Sequence, residues 1–277
     1  MTNILVPVEG VSALLVQFVI EPPLGTSLIM EFADQQRFAV SELIALDKLP
    51  EPGKSDDLKD GFYLLQLASG ANSPFEWRQR AERWILSTPN GSINSAPFDI
   101  LLQSDRILWR PGRAVIISAH DRIHDHVLGI TNFCFYENEL RRLEMDIQGW
   151  WLIAARDTDL THQVDWSAVQ RWPHVNQMTQ LVTQARMRLV RLTRPLERAS
   201  STLPGASRRL VAELLLQAEV TDRLVDADDK LEVFEDLYEL ANDRISEFSY
   251  FRREYTLELW IIVVLAVEAA LVLYNLL

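Results

Sequence analysis

The chain has 277 residues, a formal net charge of −12 and a single cysteine, Cys134. The length permits one or two domains with a sizeable core. The acidic balance argues against nucleic-acid binding by the chain as a whole, and one cysteine excludes an intrachain disulfide or a cysteine-rich zinc module.

Met1 to Gly10 carries no basic stretch of the kind that opens a signal peptide. The apolar run Val11 to Ile20 is only about half a membrane span and is bounded by Glu9 and Glu21, so it reads as a strand. Up to about Ser118 the chain reads as β-rich. Apolar runs rich in branched and aromatic residues recur at Val11 to Ile20, Phe62 to Ala68, Arg83 to Thr88, Phe98 to Gln103 and Ala114 to Ser118. Turn signals separate them, among them Glu51-Pro52-Gly53, Thr88-Pro89-Asn90-Gly91 and Arg110-Pro111-Gly112. Phe75 to Arg83 is a candidate short helix, with Ser73 as cap and Pro74 at its first position. Gly53-Lys54-Ser55 is similar to the end of a phosphate loop. That loop needs a glycine five residues earlier, where Lys48 stands, so a solvated turn is expected.

From about His120 the apolar period becomes helical. Ile123, Val127, Ile130, Cys134, Phe135 and Leu140 recur on one face, and the helix is expected to reach about Ile153, with Gly149 a candidate interruption. Asp165 to Trp172 reads as a connector. A second helix places Met178, Leu181, Val182, Ala185, Leu189, Leu192 and Leu196 on one face, with Pro195 a candidate kink. After a turn at Pro204-Gly205 a third helix is expected from Arg208, pausing near Asp226 to Asp229, then running on through Phe248 toward the end of the chain.

Charges on these helices are segregated. Arg186, Arg188, Arg191 and Arg194 crowd one stretch, whereas Glu213 to Glu247 is strongly acidic. A hairpin laying the basic helix beside the acidic one satisfies both, although each exposed pair contributes under about 1 kcal/mol. The functional alternative for these four arginines is a surface for an anionic partner, either lipid headgroups or RNA.

Catalytic signatures are sparse. His120 and His124 share a helix face and could hold a metal, but no third ligand is evident and no His-Glu-x-x-His pattern occurs. A metal-dependent enzyme near His120 is therefore a minor alternative, and no cofactor is expected. Trp150, Trp151 and the stretch Trp166 to Trp172 suit packing better than a ligand box.

The stretch Leu257 to Leu277 is the most informative. About 20 mainly apolar residues cross a bilayer, and twelve of the residues from Leu259 to Leu277 are Leu, Ile or Val. Their summed insertion preference, on the order of 5 kcal/mol, exceeds the roughly 2.5 to 3.5 kcal/mol opposing a central carboxylate at Glu268. Arg252 and Arg253 precede the run and no basic residue follows it. The expected topology is a single-pass C-terminal anchor with the N-terminal part in the cytoplasm or a mitochondrial matrix. Glu268 and Asn275 lie seven residues apart and share a face, beside Ala266, Ala269 and Ala270. That face is a candidate helix–helix contact in a homo-oligomer or with a partner span.

Leu257-Glu258-Leu259-Trp260, the aliphatics after it and Glu268 together resemble the tail of the family named for being required for meiotic nuclear division. Arg223-Leu224-Val225-Asp226 through Lys230-Leu231-Glu232, and Phe135-Tyr136-Glu137-Asn138-Glu139-Leu140, are also similar to segments of that family. The likeness covers roughly the last half of the chain. It implies a non-enzymatic, membrane-tethered protein that forms oligomers.

These readings converge on an α+β protein. A β-rich domain at 1–118 is expected, then long antiparallel helices at 119–256, then one transmembrane helix at 257–277. The expected role is an oligomeric tether or assembly factor for an unidentified protein partner at the lipid bilayer. A channel subunit similar to the magnesium-transporter architecture is the other alternative, but the second span and Gly-Met-Asn motif of that class are absent.

Overall fold

The computed structural model describes residues 10–32, 35–49, 60–69, 75–86, 96–162, 166–198 and 201–276, with the side chains of 48, 75, 166–167 and 269–276 outside the description. The architecture is mixed α+β, a seven-stranded sheet followed by long helices. The strands are β1 (Val11–Val19), β2 (Ser27–Phe32), β3 (Arg37–Ile44), β4 (Gly61–Ala68), β5 (Phe98–Leu102), β6 (Asp105–Arg110) and β7 (Arg113–Ser118). The helices are α1 (Phe75–Leu86), α2 (His120–Asp157), α3 (Trp166–Gln170), α4 (Trp172–Glu197), α5 (Gly205–Gln217) and α6 (Val220–Leu276). The proposed phosphate-loop likeness at Gly53-Lys54-Ser55, the cap at Ser73 and the turn at Thr88 to Gly91 lie outside the described residues.

Packing divides the chain into two compact units, and each draws on more than one stretch of sequence. The first comprises Met1–Arg142 and Arg191–Leu224; the second comprises Leu143–Val190 and Val225–Leu277. The sequence boundaries at 118 and 256 follow changes of period and hydropathy. Packing boundaries instead fall within α2, α4 and α6, because one long helix can bury its two ends in different neighbourhoods.

In the first unit the strand order is β2-β3-β1-β4-β7-β6-β5, antiparallel except for the parallel pair β4 and β7. Alternation along the strands sends side chains to both faces. Ala13, Leu65, Leu67, Leu108, Val115 and Ile117 pack with Ala81, Trp84 and Ile85 of α1. On the opposite face an aromatic cluster joins sheet and α2. Phe32 stacks on Phe135 with centroids 3.8 Å apart, Phe18 meets Phe135 edge-on at 5.2 Å, and Trp109 meets Phe133 at 4.9 Å. Burial on this scale contributes about 1.5 to 3 kcal/mol per large side chain.

Two arginines fix α1 to the sheet. Arg110 Nη1 donates to the Ile85 carbonyl and Arg113 Nη1 to the Trp84 carbonyl, both at 2.9 Å. Carbonyls in the last turn of a helix lack intrahelical donors, so these guanidiniums act as caps. The Arg113 guanidinium also lies over the Trp84 ring at 5.1 Å.

Several expectations need correction. The run from Arg83 is helical through Leu86 and not a strand, because Ala81, Trp84 and Ile85 form one buried helical face. Strands β2, β3 and β6 carry no clear sequence signal. Gly149 does not interrupt α2, and α4 continues past Pro195 to Glu197. The third helix starts at Gly205 and stops at Ala218, where Glu219 takes the left-handed conformation with φ 49°. That cap usually falls to glycine, so the break escapes sequence reading. The acidic stretch Asp226 to Asp229 lies inside unbroken helix.

In the second unit, segments of α2, α4 and α6 pack lengthwise. Asp146 pairs with Arg188 while Asp157 pairs with His174, so α2 and α4 run antiparallel. Arg186 pairs with Asp228 while Thr179 bonds Asn242, so α4 and α6 are also antiparallel. The buried residues of α6, Ala227, Leu231, Phe234, Tyr238, Ala241 and Ile245, alternate steps of four and three. That spacing is a heptad seam.

Gly129 of α2 sits against α5. A Cβ there would lie 3.0 Å from the Ser207 carbonyl oxygen and 3.2 Å from its Cα. Gly149, by contrast, faces open space. Gly129→Ala is expected to destabilise by about 1 to 3 kcal/mol through forced separation of backbones. Gly149→Ala is expected to be neutral or to stabilise by up to about 1 kcal/mol. Urea denaturation of the two variants checks the contrast.

Candidate functional site

The buried seam of α6 closes at Ile245, and every residue from Ser249 to Glu268 is exposed. The helix then becomes apolar without acquiring cover. Ile262 is 65% exposed and Val264 60%. A stretch of exposed Ile, Val and Leu this long exceeds the scattered apolar residues of an ordinary surface. Arg252 and Arg253 stand at its start, with Ser249, Thr256, Leu257 and Trp260 on the same face beside Val169 of α3. Glu268 is exposed on α6. Asn275 lies on the same continuous helix, with its side chain outside the description. Among the described residues no helix is long and apolar enough to cross a membrane. The described side chains end at Glu268, so they take in little more than half of the apolar run that the sequence carries to Leu277.

The four candidate arginines divide. Arg186 pairs with Asp228 and, at 3.7 Å, with Glu235, both on α6. Arg188 reaches Asp146 of α2 at 2.7 Å. Arg191 and Arg194 are exposed and make no ion pair among the described residues. A continuous row open to an anionic partner is thus not what the second unit presents: its two arginines are already engaged by acidic neighbours.

The histidine cluster also divides. His120 is exposed and His124 half-buried, whereas His126 is 2% exposed. Among the described residues no three His, Cys, Asp or Glu side chains converge to hold a metal. His126 instead pairs through Nε2 with Asp105 Oδ2 at 2.9 Å, and Arg122 Nη2 lies 3.1 Å from Asp105 Oδ1. This cluster combines β6 with the first turns of α2. Sequence reading misses it because Asp105 stands in an unremarkable turn region, far from His126 in the chain.

Two further buried carboxylates were not legible. Glu137, 1% exposed, accepts from Arg141 Nε at 2.9 Å and Arg223 Nη1 at 3.0 Å, both on Oε1. In the second unit Asp157 Oδ2 accepts from Tyr238 Oη at 3.0 Å and lies 2.8 Å from His174 Nε2. Such partners are what permit a carboxylate inside a core. A signal exists in hindsight: each stands on a helix face that is otherwise apolar.

Cys134 is buried and accepts from Trp109 Nε1 at 3.0 Å. Burial pushes its thiol up, well beyond the usual thiol range, so it is a core residue and not a nucleophile. Trp150 and Trp151 approach the Phe234 ring at 6.3 and 5.2 Å, which is helix packing. Trp172 is half-exposed.

Compared with known proteins, the chain matches no protein-family model and no curated protein.

The Tyr238 hydroxyl is held neutral by burial first, then by the adjacent Asp157 charge and the bond to it. Its folded pKa therefore lies above the unfolded value near 10. The stabilisation is complete below that value and is lost as pH rises through the folded pKa. Phenolate absorbance titration is expected to show a late-ionising tyrosine that disappears in Tyr238→Phe. An identical ordinary-range titration in both proteins would contradict the buried bond.

Proposed function

We propose that this protein is a non-enzymatic, single-pass membrane protein anchored through Leu257 to Leu277, acting as an oligomeric tether or assembly factor. One observation carries the reading: α6 leaves its packed seam at Ile245 and continues as an exposed apolar helix. Exposed aliphatic surface on this scale is covered by lipid or by another protein. The apolar sequence from Leu259 is long enough for lipid. Arg252 and Arg253 on the near side favour placing the preceding units in the cytoplasm or a mitochondrial matrix.

The resemblance of the tail, with Glu258, Trp260 and Glu268, to the family required for meiotic nuclear division supports the same reading. Arg191 and Arg194, exposed and without an ion pair among the described residues, offer positive charge to an anionic partner. Glu268, with Asn275 on the same helix face, is assigned to contact between spans. A buried carboxyl in the bilayer is best satisfied by a hydrogen bond to a neighbouring helix.

Crosslinking in intact cells followed by mass spectrometry tests the tether. A recurring heterologous partner is expected beside self-crosslinks, and recovery of self-crosslinks alone would overturn it. Glu268→Leu is expected to reduce the oligomer size in mild detergent. An unchanged size would remove Glu268 from the contact.

A further inference from the structure

We infer that an arginine ridge of the first unit, formed by Arg191, Arg194 and Arg198, is a contact surface for a second copy of this chain and docks on the exposed acidic ridge of that copy's α6. The inference rests on the oligomeric reading above and names the surface involved.

The basic ridge is local and sharply drawn. From residue 191 to 209 five arginines stand against Glu197 alone, in a chain of net charge −12. Arg191 and Arg194 lie on α4, and the Arg198 amide bonds the Arg194 carbonyl at 3.3 Å, which extends the same helical turn. The three step by three and then four residues, so they share one face. Leu192 and Leu196 point the other way and are buried. All three arginines are exposed and make no ion pair among the described residues.

Helix α6 carries the complement. Asp229, Glu232, Asp236, Glu239 and Asp243 are exposed, step by three and four, and make no ion pair among the described residues. They occupy the side of α6 turned away from its buried seam. Val233 and Leu240, 52% and 44% exposed, lie beside them and offer apolar area to bury.

Like charges three and four residues apart disfavour a helix, so each ridge gains from counter-charge outside itself. Both repeat at the same interval. Laid side by side, Arg191, Arg194 and Arg198 therefore meet three successive carboxylates in register, as charges flanking a coiled coil do. The second unit already uses this chemistry within one chain, where Arg186 of α4 pairs with Asp228 and Glu235 of α6. Each chain carries both signs, so a second copy supplies what each ridge lacks.

Sedimentation of the full chain in mild detergent tests the contact. One variant combines Arg191→Glu, Arg194→Glu and Arg198→Glu; another combines Glu232→Arg, Asp236→Arg and Glu239→Arg. Each is expected to raise the dissociation constant of self-association at least about tenfold. An equal mixture of the two is expected to recover it, because every ridge then finds its opposite. For the unsubstituted chain, ionic strength of about 1 M, with a screening length of about 3 Å, is expected to weaken association similarly. Three results would overturn the contact while leaving the oligomer standing: association indifferent to salt, variants that associate like the unsubstituted chain, or a mixture that fails to recover although both variants keep the original melting temperature. Loss of a heterologous crosslink with self-association unchanged would also overturn it and give the surface to another protein. A monomeric unsubstituted chain would overturn the oligomeric reading as well.

Discussion

The apolar seam that α6 lays against segments of α2 and α4, from Ala227 to Ile245, sets the order of the second unit. Steps of four and three keep Leu231, Phe234, Tyr238, Ala241 and Ile245 on one line, so the helix can be buried on one side and charged on the other. Arg186 reaches the acidic side of that helix and Arg188 reaches α2, which fits α4 between two acidic neighbours. These pairs set register more than they stabilise, since both partners keep substantial contact with solvent. The apolar seam supplies most of the stabilisation.

Where the seam ends, the composition of the helix inverts. A helix leaving a protein surface normally becomes polar. This one passes Arg252 and Arg253 and becomes mainly aliphatic, with Trp260 near the change and Glu268 as the one charged group after it. Continuity matters here: α6 runs from Val220 to Leu276 without a break, roughly 85 Å at 1.5 Å per residue. Whatever binds the apolar end is mechanically joined to the packed seam.

Much of this was legible in the sequence, for a specific reason in each case. The helical faces of α2 and α4 could be read because Ile123, Val127 and Ile130, and Met178, Val182 and Ala185, repeat at unambiguous spacing, and all six are buried. The strands β2 and β3 could not, because Ser27 to Phe32 and Arg37 to Ile44 mix polar and apolar residues without clean alternation. The first contributes an edge of the sheet, where side chains are half-exposed. Arg83 to Leu86 misled because Trp84 and Ile85 favour strands locally, while the contact that decided the matter, with Leu65, Val115 and Ile117, is distant in sequence. The buried pair Asp105 and His126 depended on the same kind of long-range meeting. By contrast, the apolar character of Leu257 to Leu277 is a property of the sequence itself and needs no fold to be seen.

The central claim is that the apolar end of α6 is covered by lipid. Alkaline carbonate extraction of cell membranes, comparing the full chain with a chain ending at Thr256, tests it most directly. The full chain is expected to stay with the membrane pellet and the shortened chain to move to the supernatant while still folded. Release of the full chain by carbonate would contradict the account.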